Sequence, residues 1–269
     1  MKKKSKRKNS TITMISTIII VSIIIMVPLY LLSSILDKSK EFKVESRADQ
    51  INIYKEKMKN YDVIGWLRVQ GTNIDYPIIH DNGLNNISEI IEDFVWQREK
   101  TDKLQERTVI LGHNIKNVSS NPLITNKNHT RFEQLMSFVY YDFAKENQFI
   151  QYTKNGKEYI FQIFSVSFID EKDLIQTGNL TEEEKKDYIK KSLEDSYYKY
   201  DIEVNESDKL ITLITCTRFF GGTTSYRFKI DGKLLNKEES KEKVDVKENK
   251  NYKEIENIMK GGISNGTEA

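Results

Sequence analysis

The sequence predicts a mainly β domain with peripheral helices, a barrel or sandwich and not a βαβ sheet, set behind an N-terminal transmembrane helix. Three observations carry that expectation. From residue 63 onward the chain reads as short apolar runs broken by turn residues, with few stretches of helical spacing. Asn155-Gly156 stands between two such runs, and Asn-Gly is the strongest short-range hairpin signal. Residues 11–36 contain no charged side chain and are rich in Ile, Val, Leu and Met, and roughly 20 such residues span a bilayer as a helix.

The bulk numbers bound the answer. The chain has 269 residues, of which 38% are hydrophobic, enough for one fair-sized domain with a core plus appendages. Charged residues make up 30% and the net charge is only +2, which gives no overall basis for nucleic-acid binding. The basic excess sits at the tip. Residues 1–10 hold six Lys and Arg and no acid, so the rest of the chain has a net charge of −4. A cleavable signal peptide has a shorter apolar core, about 7–15 residues, followed by a small-residue cleavage site. Here the run is longer and no Ala-x-Ala pattern follows, which points to an uncleaved anchor. Basic flanks stay on the cytoplasmic side, so residues 1–10 form a cytoplasmic tip and the chain after Asp37 lies outside the cell membrane.

Residues 37–62 read as a charged linker and helix. Val44, Ala48, Ile51, Tyr54 and Met58 fall on one helical stripe that suits packing against the main domain. Residues 63–69 and 74–79 are strand-like and separated by Gly-Thr-Asn; residues 86–94 suggest a short helix; residues 108–111 form an apolar strand ending at Gly112-His113-Asn114. A polar, Asn-rich loop over 116–130 precedes a short helix over 131–138. The hairpin strands are 149–153 and 158–168. Thr181 and Glu184 form a capping box at the head of a helix over 181–197. Residues 210–216 and 227–235 are the last strands of a domain spanning 63–235. Residues 236–269, rich in Lys, Glu and Asn, read as a charged, mobile tail.

Cys216 is the only cysteine, so no internal disulfide forms, and a free thiol outside the cell asks for a reason. One reading is a small buried hydrophobe. The other is a nucleophile, which needs a partner because only the thiolate attacks. With three histidines and one cysteine, a catalytic metal is not expected. His80 closes a strand, and His129, between Asn128 and Thr130, reads as solvated. His113 follows a buried-looking strand and Gly112, where an imidazole projects from a fixed base. Acyl transfer also needs a group to bind the developing oxyanion. Arg218 and Arg227 follow Cys216, and a hairpin through Gly221-Gly222 would bring Arg227 beside it. Arg227 is the favoured choice and Arg218 the alternative.

These residues resemble a family. Thr212-Leu213-Ile214-Thr215-Cys216, followed by Arg227 at the start of the last strand, is similar to the sortase signature, and Gly112-His113-Asn114 is similar to its histidine segment. Residues 63–67 and 74–78, the helix before the cysteine strand and the N-terminal helix resemble class B. The likeness covers about residues 45–235; Ile214 at the variable position, the long Asn-rich loop and the tail depart from it. It implies a closed β-barrel of about eight strands and a cysteine transpeptidase that needs no cofactor or metal. Cys216 would be the nucleophile, His113 the acid/base partner and Arg227 the oxyanion stabiliser. The implied substrates are secreted proteins carrying a C-terminal sorting signal, and the implied acceptor is an amino group of peptidoglycan or of a pilin subunit. The rival readings are a hydrolytic cysteine protease and a non-catalytic anchored scaffold with an inert Cys216.

Overall fold

The structure, a computed structural model, describes residues 22, 26–28, 42–59, 61–81, 95–124, 126, 128–174, 178–222 and 225–261. Ser22 and Met26–Pro28 are helical. Otherwise the expected transmembrane stretch lies outside the described residues, and no helix among those described is long and apolar enough to cross a membrane. The short helix expected over 86–94 also lies outside them.

Helix α1 (Ala48–Lys57) carries the middle of the predicted stripe, Ala48, Ile51 and Tyr54, while Val44 precedes the helix and Met58 is its C-cap. Ile51 and Met58 pack with Val63, Trp66 and Ile79. Asp75 then fixes the approach of α1, taking Arg47 in a two-pronged ion pair at 2.9 and 2.7 Å and the Trp66 indole N–H at 2.5 Å.

The barrel strands are β1 (Val63–Val69), β2 (Asp75–His80), β3 (Val95–Gln97), β4 (Arg107–Gly112), β5 (Phe149–Lys154), β6 (Lys157–Asp170), β8 (Leu210–Cys216) and β9 (Tyr226–Leu234). They close in the order β1-β2-β3-β4-β8-β9-β6-β5. Eight strands leave an interior that side chains fill completely. Leu67, Ile78, Ile110, Tyr152, Phe161 and Leu213 fill it, all fully buried. Asn155 and Gly156 turn the β5–β6 hairpin at φ of 50° and 69°, the positive pair a type I′ turn requires.

Between β4 and β5 lie non-helical residues 113–124, 126 and 128–132, a 3-10 helix (Glu133–Val139) and α2 (Tyr141–Glu146). The 3-10 segment starts two residues later than the expected helix, because Arg131 sits at φ 55°, outside helical space. Helix α3 (Glu182–Asp195) opens with the full Thr181–Glu184 capping box and covers the outer face of the sheet. β7 (Tyr198–Tyr200) follows it.

The tail departs from expectation. Among residues 236–261, β10 (Val246–Glu248) pairs with β7, and α4 (Tyr252–Gly261) buries Tyr252 and Ile255 in the main core. Tyr141 Oη donates to Val246 O at 2.7 Å. A few apolar side chains at strategic positions outweigh a hydrophilic average, which is why composition alone suggested mobility.

Candidate active site

Strand ends converge on one rim of the barrel. β8 and β9 are antiparallel, with Cys216 directly opposite Arg227. β4 runs parallel to β8 in the register Gly112↔Thr215, so His113 leaves its strand alongside Cys216. Two bonds lock that register. Thr215 Oγ1 donates to Gly112 O at 2.8 Å, and Asn114 Nδ2 donates to Cys216 O at 3.1 Å. Register therefore brings the three residues singled out from the sequence to one end of the barrel, Cys216 and Arg227 lining one cavity and His113 just before its lining residue Asn114, although 103 positions separate His113 from Cys216 along the chain.

Cys216 is partly exposed. It opens on a cavity of about 580 Å³ that Asn114, Ile115, Val118, Arg218 and Arg227 also line. Arg227 holds a 2.8 Å ion pair with Glu171, and its Nη1 donates to Tyr226 O. Arg218 lies past the end of β8 and is exposed, its backbone N–H held by Val118 O at 2.9 Å. The cross-strand partner of Cys216 is Arg227.

His113 is half-buried, its ring 4.7 Å from that of Trp96 on β3. Burial, with a smaller contribution from the charge of Arg131, lowers its pKa below the ordinary histidine value, so the resting imidazole is neutral near pH 7. The loop after it is pinned from beneath. The buried Glu133 carboxylate accepts the backbone N–H groups of Ile115, Lys116 and Thr130 at 3.0–3.3 Å, and Phe132 N–H donates to His113 O at 3.0 Å. Sequence reading passed over Glu133, Asn114, Trp96 and Glu171. Only Asn114, adjacent to His113, lay within a motif. The other three act through contacts distant in sequence.

His80 pairs with Asp62 at 3.5 Å, away from the cavity lining. His129 corrects the sequence reading: it is 6% exposed and not solvated, because its polar loop folds inward under Gln134, whose amide donates to His129 O.

Gly112 gives the site its tight geometry. A β-carbon there would stand 2.6 Å from Cγ of Phe132. Gly112→Ala is expected to cost about 1–3 kcal/mol by overpacking and to displace the His113 loop. Thermal unfolding would check the first effect and activity the second; an unchanged midpoint would show that Phe132 yields freely.

The sortase domain model matches residues 67–235. This chain is a member of the sortase family. Among curated relatives it is similar to Sortase B of Staphylococcus aureus, 23% identical over 177 residues that cover 61% of this chain and 67% of that one. It is also similar to Sortase B of Listeria monocytogenes, 28% identical over 188 residues covering 66% and 72%. Its fold matches solved sortase B of Clostridium perfringens, with TM-score 0.54 and 24% identity over 69% of this chain and 99% of that one. It matches sortase B from the type II pilus of Streptococcus pneumoniae similarly, with TM-score 0.54 and 23% identity over 72% and 99%. The class B likeness read from the sequence thus holds, and this sortase is a cysteine transpeptidase.

Proposed function

We propose that this sortase is a membrane-anchored enzyme that cleaves the C-terminal sorting signal of secreted proteins at Thr and transfers the new acyl end to an amino group. Cys216 is the nucleophile, His113 the acid/base partner and Arg227 the oxyanion stabiliser. The observation that carries this reading is the register Cys216↔Arg227 and Gly112↔Thr215, which gathers thiol, guanidinium and imidazole-bearing loop at one open cavity.

The chemistry follows from the groups. The neutral imidazole takes the thiol proton, and the thiolate sulfur attacks the Thr carbonyl carbon. Charge builds on the carbonyl oxygen, where a fixed guanidinium has most effect. The C–N bond breaks, the His113 proton leaves with the amine, and a thioester remains on Cys216. An acceptor amine then attacks the thioester, forms an amide and releases the thiol. Peptidoglycan and a pilin subunit are the two acceptor sources of matching chemistry. Anchoring through residues 11–36, with the tip of residues 1–10 in the cytoplasm, would hold the barrel outside the membrane where secreted substrates emerge.

The test uses the full chain with a panel of sorting-signal peptides, with and without an amine acceptor, read by intact mass. A thioester adduct mapped to Cys216 that the amine converts to an amide product is the expected result. Peptide cleavage giving only the free acid under saturating amine would make the chain a hydrolase, and no adduct from any peptide would favour an inert scaffold.

A further inference from the structure

We propose that Glu171 is a positioning residue that aims Arg227 into the cavity beside Cys216. The inference rests on the reading of Arg227 as oxyanion stabiliser. Glu171 opens a 3-10 turn (Glu171–Asp173) at the end of β6, far along the chain from Arg227. Its carboxylate meets Arg227 Nη2 at 2.8 Å, while Arg227 Nη1 donates to Tyr226 O at 3.0 Å. Both terminal nitrogens of the guanidinium are thereby held, and a planar fork held at both tips has a fixed direction.

The carboxylate has a fixed base of its own. Glu171 N–H donates to Ser225 O at 2.9 Å, and the preceding Asp170 accepts Ser225 Oγ–H at 3.1 Å. Asp170 also accepts Lys172 N–H at 3.1 Å and so caps the turn. The turn is thus fastened to the residue just before β9 by bonds that do not involve the Arg227 side chain. Glu171 is a preset anchor for that side chain, and preset donors are the ones that stabilise charge without reorganising during reaction.

Two effects compete. A carboxylate near the guanidinium partly offsets its positive charge, which would weaken oxyanion binding. Orientation works the other way. Glu171 is 49% exposed, so water screens the charge effect strongly while leaving the geometric one intact. Orientation should therefore prevail. The same exposure means that the ion pair adds little stability, so its loss should register in rate and not in unfolding.

The experiment compares Glu171→Ala, Glu171→Gln, Arg227→Ala and the Glu171→Ala/Arg227→Ala double variant in the full chain. Acyl transfer and the thermal midpoint are measured for each. Removing an oxyanion donor costs about 10²–10³ in kcat, and leaving it in place but loosely aimed costs less. Glu171→Ala is expected to lower kcat about ten-fold with KM within two-fold, and Glu171→Gln to lose less. The double variant should match Arg227→Ala alone, because an anchor has nothing to aim once its arginine is gone. A faster Glu171→Ala would make the carboxylate a competitor and overturn the proposal. The same ten-fold loss on top of Arg227→Ala, or a wild-type rate for Glu171→Ala with Arg227→Ala inactive, would also overturn it and leave the arginine reading standing. A fully active Arg227→Ala would sink that reading itself, and this inference with it.

Discussion

Replacing His113 with alanine is expected to slow acyl transfer about 10²–10⁴-fold, the usual contribution of a positioned acid/base group. A proton moves twice in each half-reaction: off the thiol and onto the departing amine in the first, off the acceptor amine and back onto the sulfur in the second, while His80 is paired with Asp62 and His129 is buried in its loop. The fold should survive. His113 is only half-buried, it begins a loop rather than sitting within a strand, and Glu133 holds that loop through backbone groups that alanine retains. A thermal midpoint close to that of the parent, together with a large loss of kcat/KM, would separate lost chemistry from lost structure. A variant within three-fold of the parent would remove His113 from the mechanism. The pH profile supplies a second check. Burial, and less so Arg131, depresses the His113 pKa. The neutral form must accept the thiol proton, so kcat/KM should fall as pH drops through that depressed value. This acid limb should lie below the ordinary histidine value of about 6.5 and vanish in His113→Ala.

The extent to which the sequence foretold this molecule depended on the range of the interaction involved. The Asn155-Gly156 turn, the Thr181–Glu184 capping box and the stripe of α1 are local devices, and each formed as its residues dictate. The placement of Cys216, His113 and Arg227 at one rim was legible for a different reason: each ends or begins an apolar run, and strand ends gather at a barrel rim. The contacts that hold those three in place were not legible. The Glu133 carboxylate gathers three backbone N–H groups from a loop behind it in sequence, and Glu171 meets Arg227 across 56 positions, so no spacing rule links them. The tail failed on averaging. Tyr252, Ile255, Ile258 and Met259 do lie on one helical stripe, and Tyr252 and Ile255 are buried, but the surrounding Lys, Glu and Asn dominate any compositional measure.

Asp231→Ala is expected to destabilise the chain by about 3–5 kcal/mol, more than overpacking at Gly112 does. Arg227, Lys229 and Asp231 alternate along β9 on the outer face, opposite Cys216, Ile214 and Thr212 of β8, while Phe228 and Ile230 point into the barrel. Helix α3 covers the lower part of that face. Beneath it the fully buried Asp231 carboxylate accepts Lys229 Nζ–H at 2.6 Å, Thr212 Oγ1–H at 2.8 Å and Tyr188 Oη–H at 2.5 Å. Burial alone would raise the pKa of this carboxyl, but Lys229 and the two hydroxyls prevail and hold it below the usual range. Alanine removes the acceptor of all three bonds and strands the Lys229 ammonium, itself buried, with Ser192 at 2.8 Å and the Tyr188 hydroxyl as its remaining partners. Removing both charges is a different matter. Lys229→Met/Asp231→Leu should cost far less than Asp231→Ala and approach the parent, since desolvating a charge pair consumes most of what its attraction returns. Denaturant unfolding of both variants decides the point, and equal losses would mean that the pair itself, and not the stranded lysine, carries the stability. Activity should follow stability here, because the strand that presents Arg227 to Cys216 is the strand that α3 clamps through Lys229 and Asp231.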